Sequence, residues 1–203
     1  MAVKSVKERV AIVTGAAVFI FTFPPSFILA FLALLPFPRT PNNENLTTSQ
    51  SGMGAALSKT LITLGWKVAC VDIQSGPGTL FAESLGPNAS FFHANVASYS
   101  SQAAMFTAVW EKWGRIDALC ANAGIADKSS LYILDARGKD EVPPEPDLSC
   151  TDVDYKGVIY GTQLAIHFMR KNPAPGGRIV CTASIAGLFP FEIIPNIVAL
   201  RLR

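Results

Sequence analysis

The chain has 203 residues, of which half are hydrophobic, and a formal net charge of +2. This length allows one domain with a substantial core, and the apolar fraction excludes a disordered chain. The balance of 17 basic and 15 acidic residues gives no reason to expect nucleic acid as a partner.

Strand and helix patterns alternate along the chain, which predicts an α/β fold with a parallel sheet covered on both faces. The predicted strands are Val10–Thr14, Lys67–Asp72, Ala89–His93, a strand within Gly114–Gly124, and Arg178–Thr182. The predicted helices are Gly52–Leu64, Thr79–Leu85, Ser100–Trp113 and Cys150–Lys171. The polar, proline-broken stretch Ser129–Ser149 is predicted to be a loop on the substrate side.

The cysteines predict neither a metal site nor a disulfide framework, because none shows C-x-x-C spacing. We expect small buried thiols in a reducing compartment, three of them in strands. The four positions are Cys70, Cys120, Cys150 and Cys181. The short charged segment 1–9 leads directly into an apolar strand rather than a signal peptide, which predicts a cytoplasmic location.

A glycine turn after the first strand is interrupted. Val10–Ala17 runs from a buried strand into Gly15, but the expected continuation Ser51-Gly52-Met53-Gly54 appears only after Gln50. Removing residues 18–50 joins the halves as Thr-Gly-Ala-Ala-Ser-Gly-Met-Gly. Such a turn lets the backbone approach phosphates, and the following helix N-terminus favours a dinucleotide pyrophosphate.

Two further motifs support this interpretation, Asn122-Ala123-Gly124 after the fourth strand and Thr182-Ala183-Ser184-Ile185-Ala186-Gly187 after the fifth. With the joined turn, the chain resembles the short-chain dehydrogenase/reductase family from about Val10 to Pro195. The resemblance implies a Rossmann-type doubly wound parallel sheet of about five strands, incomplete, with a 33-residue apolar insertion after the first strand.

The family pattern implies NAD as the cofactor. The implied cofactor-binding residues are Gly15, Ser51, Gly52, Met53, Gly54, Asp72, Asn95, Val96, Asn122, Ala123 and Gly124. Asp72 ends a strand 18 residues beyond Gly54, where a carboxylate accepts the ribose hydroxyls of NAD and repels the phosphate of NADP. The alternative is a surface acid that precedes a turn. Asn95 stands where the family has an aspartate beside the adenine.

The implied catalytic residues are Ser184, which would bind the substrate oxygen, and Asp154, which stands where the family has a water-ordering asparagine. The family's proton-transferring tyrosine and its lysine are missing, since Ile197 and Arg201 occupy their places. A shifted reading frame from Ile194 permits Pro-Gln-Tyr-x-x-x-Lys. We therefore expect residues 192–203 to be an aberrant tail that replaces the catalytic pair and the helix of the family's dimer contact.

Residues 18–50 admit three interpretations. Val18–Phe37 contains no charged residue and could just span a bilayer, but Pro24-Pro25 disfavour a straight helix there. An apolar surface loop would expose a large hydrophobic patch. A retained intron is preferred, because Val18 and Gln50 permit in-phase splice dinucleotides and the excision restores the glycine motif.

The leading hypothesis is one NAD-binding domain over residues 1–203, from a gene whose intact product interconverts a secondary alcohol and a ketone. Ala183–Pro190 is most similar to the 15-hydroxyprostaglandin dehydrogenase-like branch. The chain as written is expected to be inactive, and, although the family is usually homo-oligomeric, to lack its interface helix. The alternatives are a non-catalytic dinucleotide-binding protein and a fragment tethered to a membrane through residues 18–37.

Overall fold

The computed structural model describes residues 8–15, 52–126 and 136–184. Within these ranges five parallel strands form one sheet in the order β3-β2-β1-β4-β5. The strands are β1 (Val10–Thr14), β2 (Lys67–Asp72), β3 (Ala89–His93), β4 (Ala118–Ala121) and β5 (Arg178–Cys181). The sheet confirms the predicted fold class.

Helices connect successive strands on both faces of the sheet. They are α1 (Met53–Thr63), α2 (Ser75–Ser84), α3 (Tyr99–Trp113), α4 (Ser149–Thr151) and α5 (Gly157–Met169). A π-helical turn, Asp152–Lys156, joins α4 to α5 where one regular helix was predicted. The sequence carries no signal for that change of helical period.

The second helix begins at Ser75, four residues before its predicted start at Thr79. The predicted start leaves out Gly76-Pro77-Gly78, a sequence that is typical of a turn. Proline is tolerated in the first helical turn, because an amide there has no intrahelical acceptor to lose. A glycine is needed at position 78, since a Cβ there would overlap the ring of Phe91 on β3.

The sheet separates two apolar clusters, because neighbouring strand residues point to opposite faces. Val10 and Ile12 pack with Phe106 and Leu164 on one face. Ala11 and Val13 pack with Leu57 and Phe81, among others, on the second face. Every residue of β1 is buried, because β1 is the central strand of the described sheet. It holds this position although residues 16–51 separate it from α1 along the chain.

The fifth strand is the least covered part of the sheet. Arg178 and Cys181 are exposed, and Ile179 and Val180 are only half-buried. The expectation that all four thiols are buried is therefore wrong for Cys181, although Cys70, Cys120 and Cys150 are buried. The strand assignments of Cys70, Cys120 and Cys181 are confirmed.

Thiol reactivity should follow this burial. Burial raises the pKa of Cys70 from 9.0 to about 11 and that of Cys120 from 9.0 to about 12. We expect Cys181 to react with an exposed-thiol reagent in the folded chain, and Cys70 and Cys120 to react only after unfolding. Cys181→Ser should abolish the rapid labelling of the folded chain by this reagent. Rapid labelling that survives the substitution would contradict the assignment of Cys181 as the reactive thiol.

The buried thiols of Cys70 and Cys120 make the stability of the folded chain depend on pH in the alkaline range. Their folded-state pKa values lie above the unfolded value, so the folded state retains these protons at a pH where the unfolded chain releases them. This contribution is complete below about pH 8 and falls as the pH rises from about 9 towards 12. Urea unfolding at a series of pH values measures it.

No helix of the described residues is long and apolar enough to cross a bilayer. The candidate span at residues 18–37 and the tail at 192–203 lie outside the described residues.

Candidate functional site

The carboxyl ends of the five strands define one edge of the sheet. The chain runs from β1 to its neighbour β2 on one side, and from β3 across to β4 on the other side of β1. In open α/β sheets, ligands bind in the crevice at such a switch point. Gly15, Asp72, Asn122 and Ser184 all follow or end strands at this edge.

The two halves of the interrupted glycine turn meet at this point. A Cβ placed on Gly54 would overlap the carbonyl oxygen of Gly15, and it would lie 2.9 Å from the side-chain nitrogen of Asn122. Gly15 has a φ of +68°, and a Cβ there would lie 2.9 Å from the Cα of Ala123. Glycine is therefore required at both positions by close backbone approach.

The first helix begins directly at this contact. Its N-cap is Gly52, which provides no side-chain hydrogen bond to the first turn. The first turn contains no acidic residue, so its partial positive charge is not offset by a side chain of that turn. Together with the two glycines, this backbone fits the pyrophosphate of a dinucleotide.

A hydrogen-bonded cluster of Thr14, Asn122 and Thr182 holds the ends of β1, β4 and β5 together. The Thr14 hydroxyl oxygen accepts hydrogen bonds from the backbone N–H groups of Asn122 (3.0 Å) and Ala123 (3.1 Å). The side-chain nitrogen of Asn122 donates to the Thr14 carbonyl (3.2 Å), and its oxygen accepts from the Thr182 hydroxyl (3.2 Å). The cluster fixes the backbone around Gly15.

Asp72 is buried at the carboxyl end of β2, next to β1. One carboxylate oxygen accepts a hydrogen bond from the N–H of Gln74 at 3.0 Å. A carboxylate has two oxygens and acceptor capacity for several donors. The Gln74 contact orients the Asp72 carboxylate at the carboxyl edge of the sheet.

Asn95 and Val96 follow β3 at the same edge. The side-chain oxygen of Asn95 accepts from the N–H of Ala97 at 3.0 Å, and the N–H of Asn95 donates to the Ser101 hydroxyl at 3.0 Å. Ser98 caps α3 through the N–H of Ser101. The loop is thus attached to the first turn of α3.

Asp154 lies in the π-helical turn and contacts the segment after β4. One carboxylate oxygen accepts from the N–H of Ile125 at 2.9 Å, and a Cβ on Gly124 would lie 3.4 Å from the same oxygen. The thiol of Cys150 lies 3.3 Å from the carbonyl oxygen of Ile125, to which it donates. Asp154 and Cys150, four residues apart, therefore bind the backbone N–H and the carbonyl oxygen of Ile125, respectively.

Tyr155 and Lys156 do not form a tyrosine–lysine pair. Lys156 makes an ion pair with Asp152 at 2.8 Å on the exposed side of the π turn, and the hydrogen bond to Asp152 raises the pKa of Lys156. Tyr155 is about half exposed, at 49%.

Three residues at this edge were not singled out from the sequence: Thr14, Thr182 and Gln102. Thr14 is the first residue of the glycine motif, so its place in that motif was the available signal. Gln102 lies on the buried face of α3, where an apolar residue is the ordinary choice, so a polar residue at an apolar helical position was the available signal. A small cavity reaches from Thr14 and Ala123 to Val96 and Gln102.

Most of the predicted site residues lie at this edge of the sheet. Ser51 and the positions of the missing catalytic pair, Ile197 and Arg201, lie outside the described residues. Gly15, Gly52, Met53 and Gly54 lie together, and Asn122–Gly124 pack against Gly15 and Asp154. Ser184 lies three residues beyond β5 and is exposed.

Comparison with known proteins agrees with this α/β fold. Residues 45–196 match the family model for the short chain dehydrogenases. The chain belongs to this family of oxidoreductases, whose members typically bind NAD(P). The match begins at residue 45, so β1 and Gly15 lie outside the matched residues. In the structure, β1 nevertheless lies in the same sheet as the matched strands, between β2 and β4.

Individual relatives support the same assignment. The chain is 55% identical over 149 residues to the short-chain dehydrogenase/reductase prx6 of Penicillium rubens, covering 72% of this chain and 50% of that protein. It is 38% identical over 144 residues to prx7 of the same fungus, covering 68% and 51%. It is 31% identical over 150 residues to a trans-4-hydroxycyclohexanecarboxylate dehydrogenase of Sinomonas cyclohexanicum, covering 70% and 54%. The chain thus spans about half the length of these relatives.

Proposed function

We propose that this chain is an NAD-binding short-chain dehydrogenase domain that binds the dinucleotide without turning over an alcohol. The observation that carries the proposal is the contact between Gly15 and Gly54 beside Asn122. Both glycines let α1 pack directly against the end of β1 and the segment after β4, and side chains there would push the first-turn amides away from the position proposed for the pyrophosphate.

The described residues would hold the nucleotide in a definite order. The first turn of α1 would bind the pyrophosphate, Asp72 the ribose hydroxyls, and Asn95 and Val96 the adenine. Gly124 and the Asp154 turn would lie on the nicotinamide side. When bound, the nicotinamide supplies a hydride acceptor, and Ser184 would bind the oxygen of a secondary alcohol or ketone.

The missing step is the transfer of the hydroxyl proton. At the positions that the family pattern gives to tyrosine and lysine, the sequence has Ile197 and Arg201. An isoleucine side chain has no ionisable group, and an arginine remains protonated. Binding without turnover is therefore the function that this sequence supports, whereas an intact product of the same gene would oxidise a secondary alcohol, as in the 15-hydroxyprostaglandin dehydrogenase-like branch.

Equilibrium binding and turnover measured on the same chain separate these possibilities. We expect NADH to bind saturably and NAD with a panel of secondary alcohols to give no NADH. Measurable turnover of any alcohol would contradict the missing proton acceptor. Absence of NADH binding by a folded chain would contradict the dinucleotide site.

The choice between NAD and NADP should depend on Asp72. Asp72→Asn keeps an acceptor for the N–H of Gln74 but removes the charge. We expect NADH affinity to fall about tenfold and NADPH affinity to rise, because an amide accepts the ribose hydroxyls less well and no longer repels the phosphate. Glu83→Gln, on the exposed side of α2, removes the same charge and should change neither affinity. An unchanged NADH-to-NADPH ratio in Asp72→Asn would contradict the ribose role.

We further propose that residues 18–50 are a retained intron. Supporting this, β1 pairs with β2 along its whole length and with β4 at Ala11, Ile12 and Val13, and the carbonyl of Gly15 lies beside Gly54. These contacts are expected if the segment interrupts a turn that does not need it. A transcript lacking these codons is the expected result, and a uniform set of transcripts that retain them would contradict it.

A further inference from the structure

Gln102 is a buried amide on the apolar face of α3. It is 1% exposed and lies one turn before the core residue Phe106. Its side-chain nitrogen donates to the carbonyl oxygens of Val96 at 2.7 Å and of Gly157 at 2.8 Å. A buried amide is destabilising unless it is hydrogen-bonded, so this position depends on both carbonyls remaining in place.

The two carbonyls belong to different parts of the proposed site. Val96 lies in the loop assigned to the adenine, and Gly157 directly follows the π turn that carries Asp154. Gly157 also contacts Val96 directly, since a Cβ there would lie 3.1 Å from the Val96 carbonyl oxygen and 3.3 Å from its side chain. Val96 is therefore held between Gln102 and the start of α5.

The volume at position 102 does not itself require a polar residue. The neighbours of the Gln102 side chain include Gly161, where a Cβ would lie 3.0 Å from the Gln102 side-chain oxygen, and apolar residues such as Leu119 and Val158 line the same cavity. Methionine has a similar length and adapts to such surroundings, but it has no N–H donors. What glutamine adds is the pair of hydrogen bonds.

We propose that Gln102 is a positioning residue that couples the adenine loop to the helical segment carrying Asp154. One nitrogen binds both carbonyls, so a ligand that fixes Val96 also fixes Gly157 and the turn before it. Occupation of the adenine side thereby orders the segment on the nicotinamide side. The proposal rests on the proposed function, which assigns Asn95 and Val96 to the adenine.

Hydrogen exchange on the full chain tests this coupling, with AMP as the probe because it occupies only the adenine half. In the unmodified chain AMP should slow amide exchange both in segment 94–98 and in segment 153–161. In Gln102→Met, AMP should bind about tenfold more weakly and, at saturation, slow exchange only in 94–98. Gln102→Leu, which is shorter, provides the same comparison if methionine overpacks the site.

Asn172 provides a matched control. It is also a buried amide that binds backbone groups, the N–H and carbonyl of Ile116 and the carbonyl of Gly176, but at the amino edge of the sheet. Asn172→Leu should lower the melting temperature and leave both AMP effects unchanged.

The outcomes separate the two proposals. If AMP slows exchange in neither segment of the unmodified chain, the dinucleotide function fails, and the coupling fails with it. If AMP protects only 94–98 in the unmodified chain, or still protects both segments in the saturated Gln102 variants, the coupling is wrong while the nucleotide site stands.

Discussion

Gly54→Ala is expected to reduce NADH affinity by roughly 100-fold, which corresponds to about 2.7 kcal/mol. The added methyl group would overlap the carbonyl oxygen of Gly15 and lie 2.9 Å from the side-chain nitrogen of Asn122. Both neighbours are fixed by the sheet, so α1 must move away from β1. That movement displaces the first-turn amides from the pyrophosphate position. Titration of NADH by tryptophan fluorescence measures the loss.

Gly76→Ala is the control for this substitution. Gly76 also lies in the first turn of a helix, but no heavy atom lies within 4 Å of a Cβ placed there. It should bind NADH as the unmodified chain does, because the substitution leaves the contact between Gly15 and Gly54 unchanged. Equal affinities for the two variants, with circular dichroism showing both folded, would exclude a backbone site at Gly15 and Gly54.

Deletion of residues 18–50 is expected to stabilise the folded chain while it keeps NADH binding. The carbonyl of Gly15 already lies beside Gly54, and after the deletion only Ala16, Ala17 and Ser51 separate Gly15 from Gly52. Three residues are long enough for a tight strand-to-helix turn. Shortening a 36-residue connection to three residues lowers the entropic cost of loop closure by about 2 kcal/mol.

Urea unfolding of the deletion variant measures this gain. The deletion variant that also carries Gly54→Ala serves as the control and should be stable but bind NADH weakly. A deletion variant that fails to fold would show that residues 18–50 are required, which would contradict the retained-intron proposal.

The strands could be predicted closely because each is a short apolar run bounded by polar or turn residues. The bounds of β1, β2 and β3 agree with the prediction. Burial of both faces explains why the apolar patterns of β1 and β2 are continuous rather than alternating, whereas β3 is only partly buried. The glycine turn could be inferred in spite of its interruption, because close backbone approach restricts the residue types on both sides.

Other features could not be predicted because they depend on tertiary contacts. The start of α2 at Ser75 was missed since Pro77 is compatible with either a turn or a first helical turn. The π turn at Asp152–Lys156 and the exposure of Cys181 have no local sequence signal. The hydrogen bonds of Gln102 could not be predicted, because Val96 and Gly157, whose carbonyls share its side-chain nitrogen, are 61 residues apart in the sequence.

The most direct test of a dinucleotide site assembled from the two separated parts of the chain is calorimetric titration with ADP-ribose. This ligand retains the adenine, both riboses and the pyrophosphate but lacks the nicotinamide, so its binding does not depend on the missing proton acceptor. We predict saturable binding of one ADP-ribose per chain, lost in Gly54→Ala and retained in Gly76→Ala. A folded chain that shows no heat of binding, or a Gly54→Ala variant that binds as well as the unmodified chain, would contradict the account.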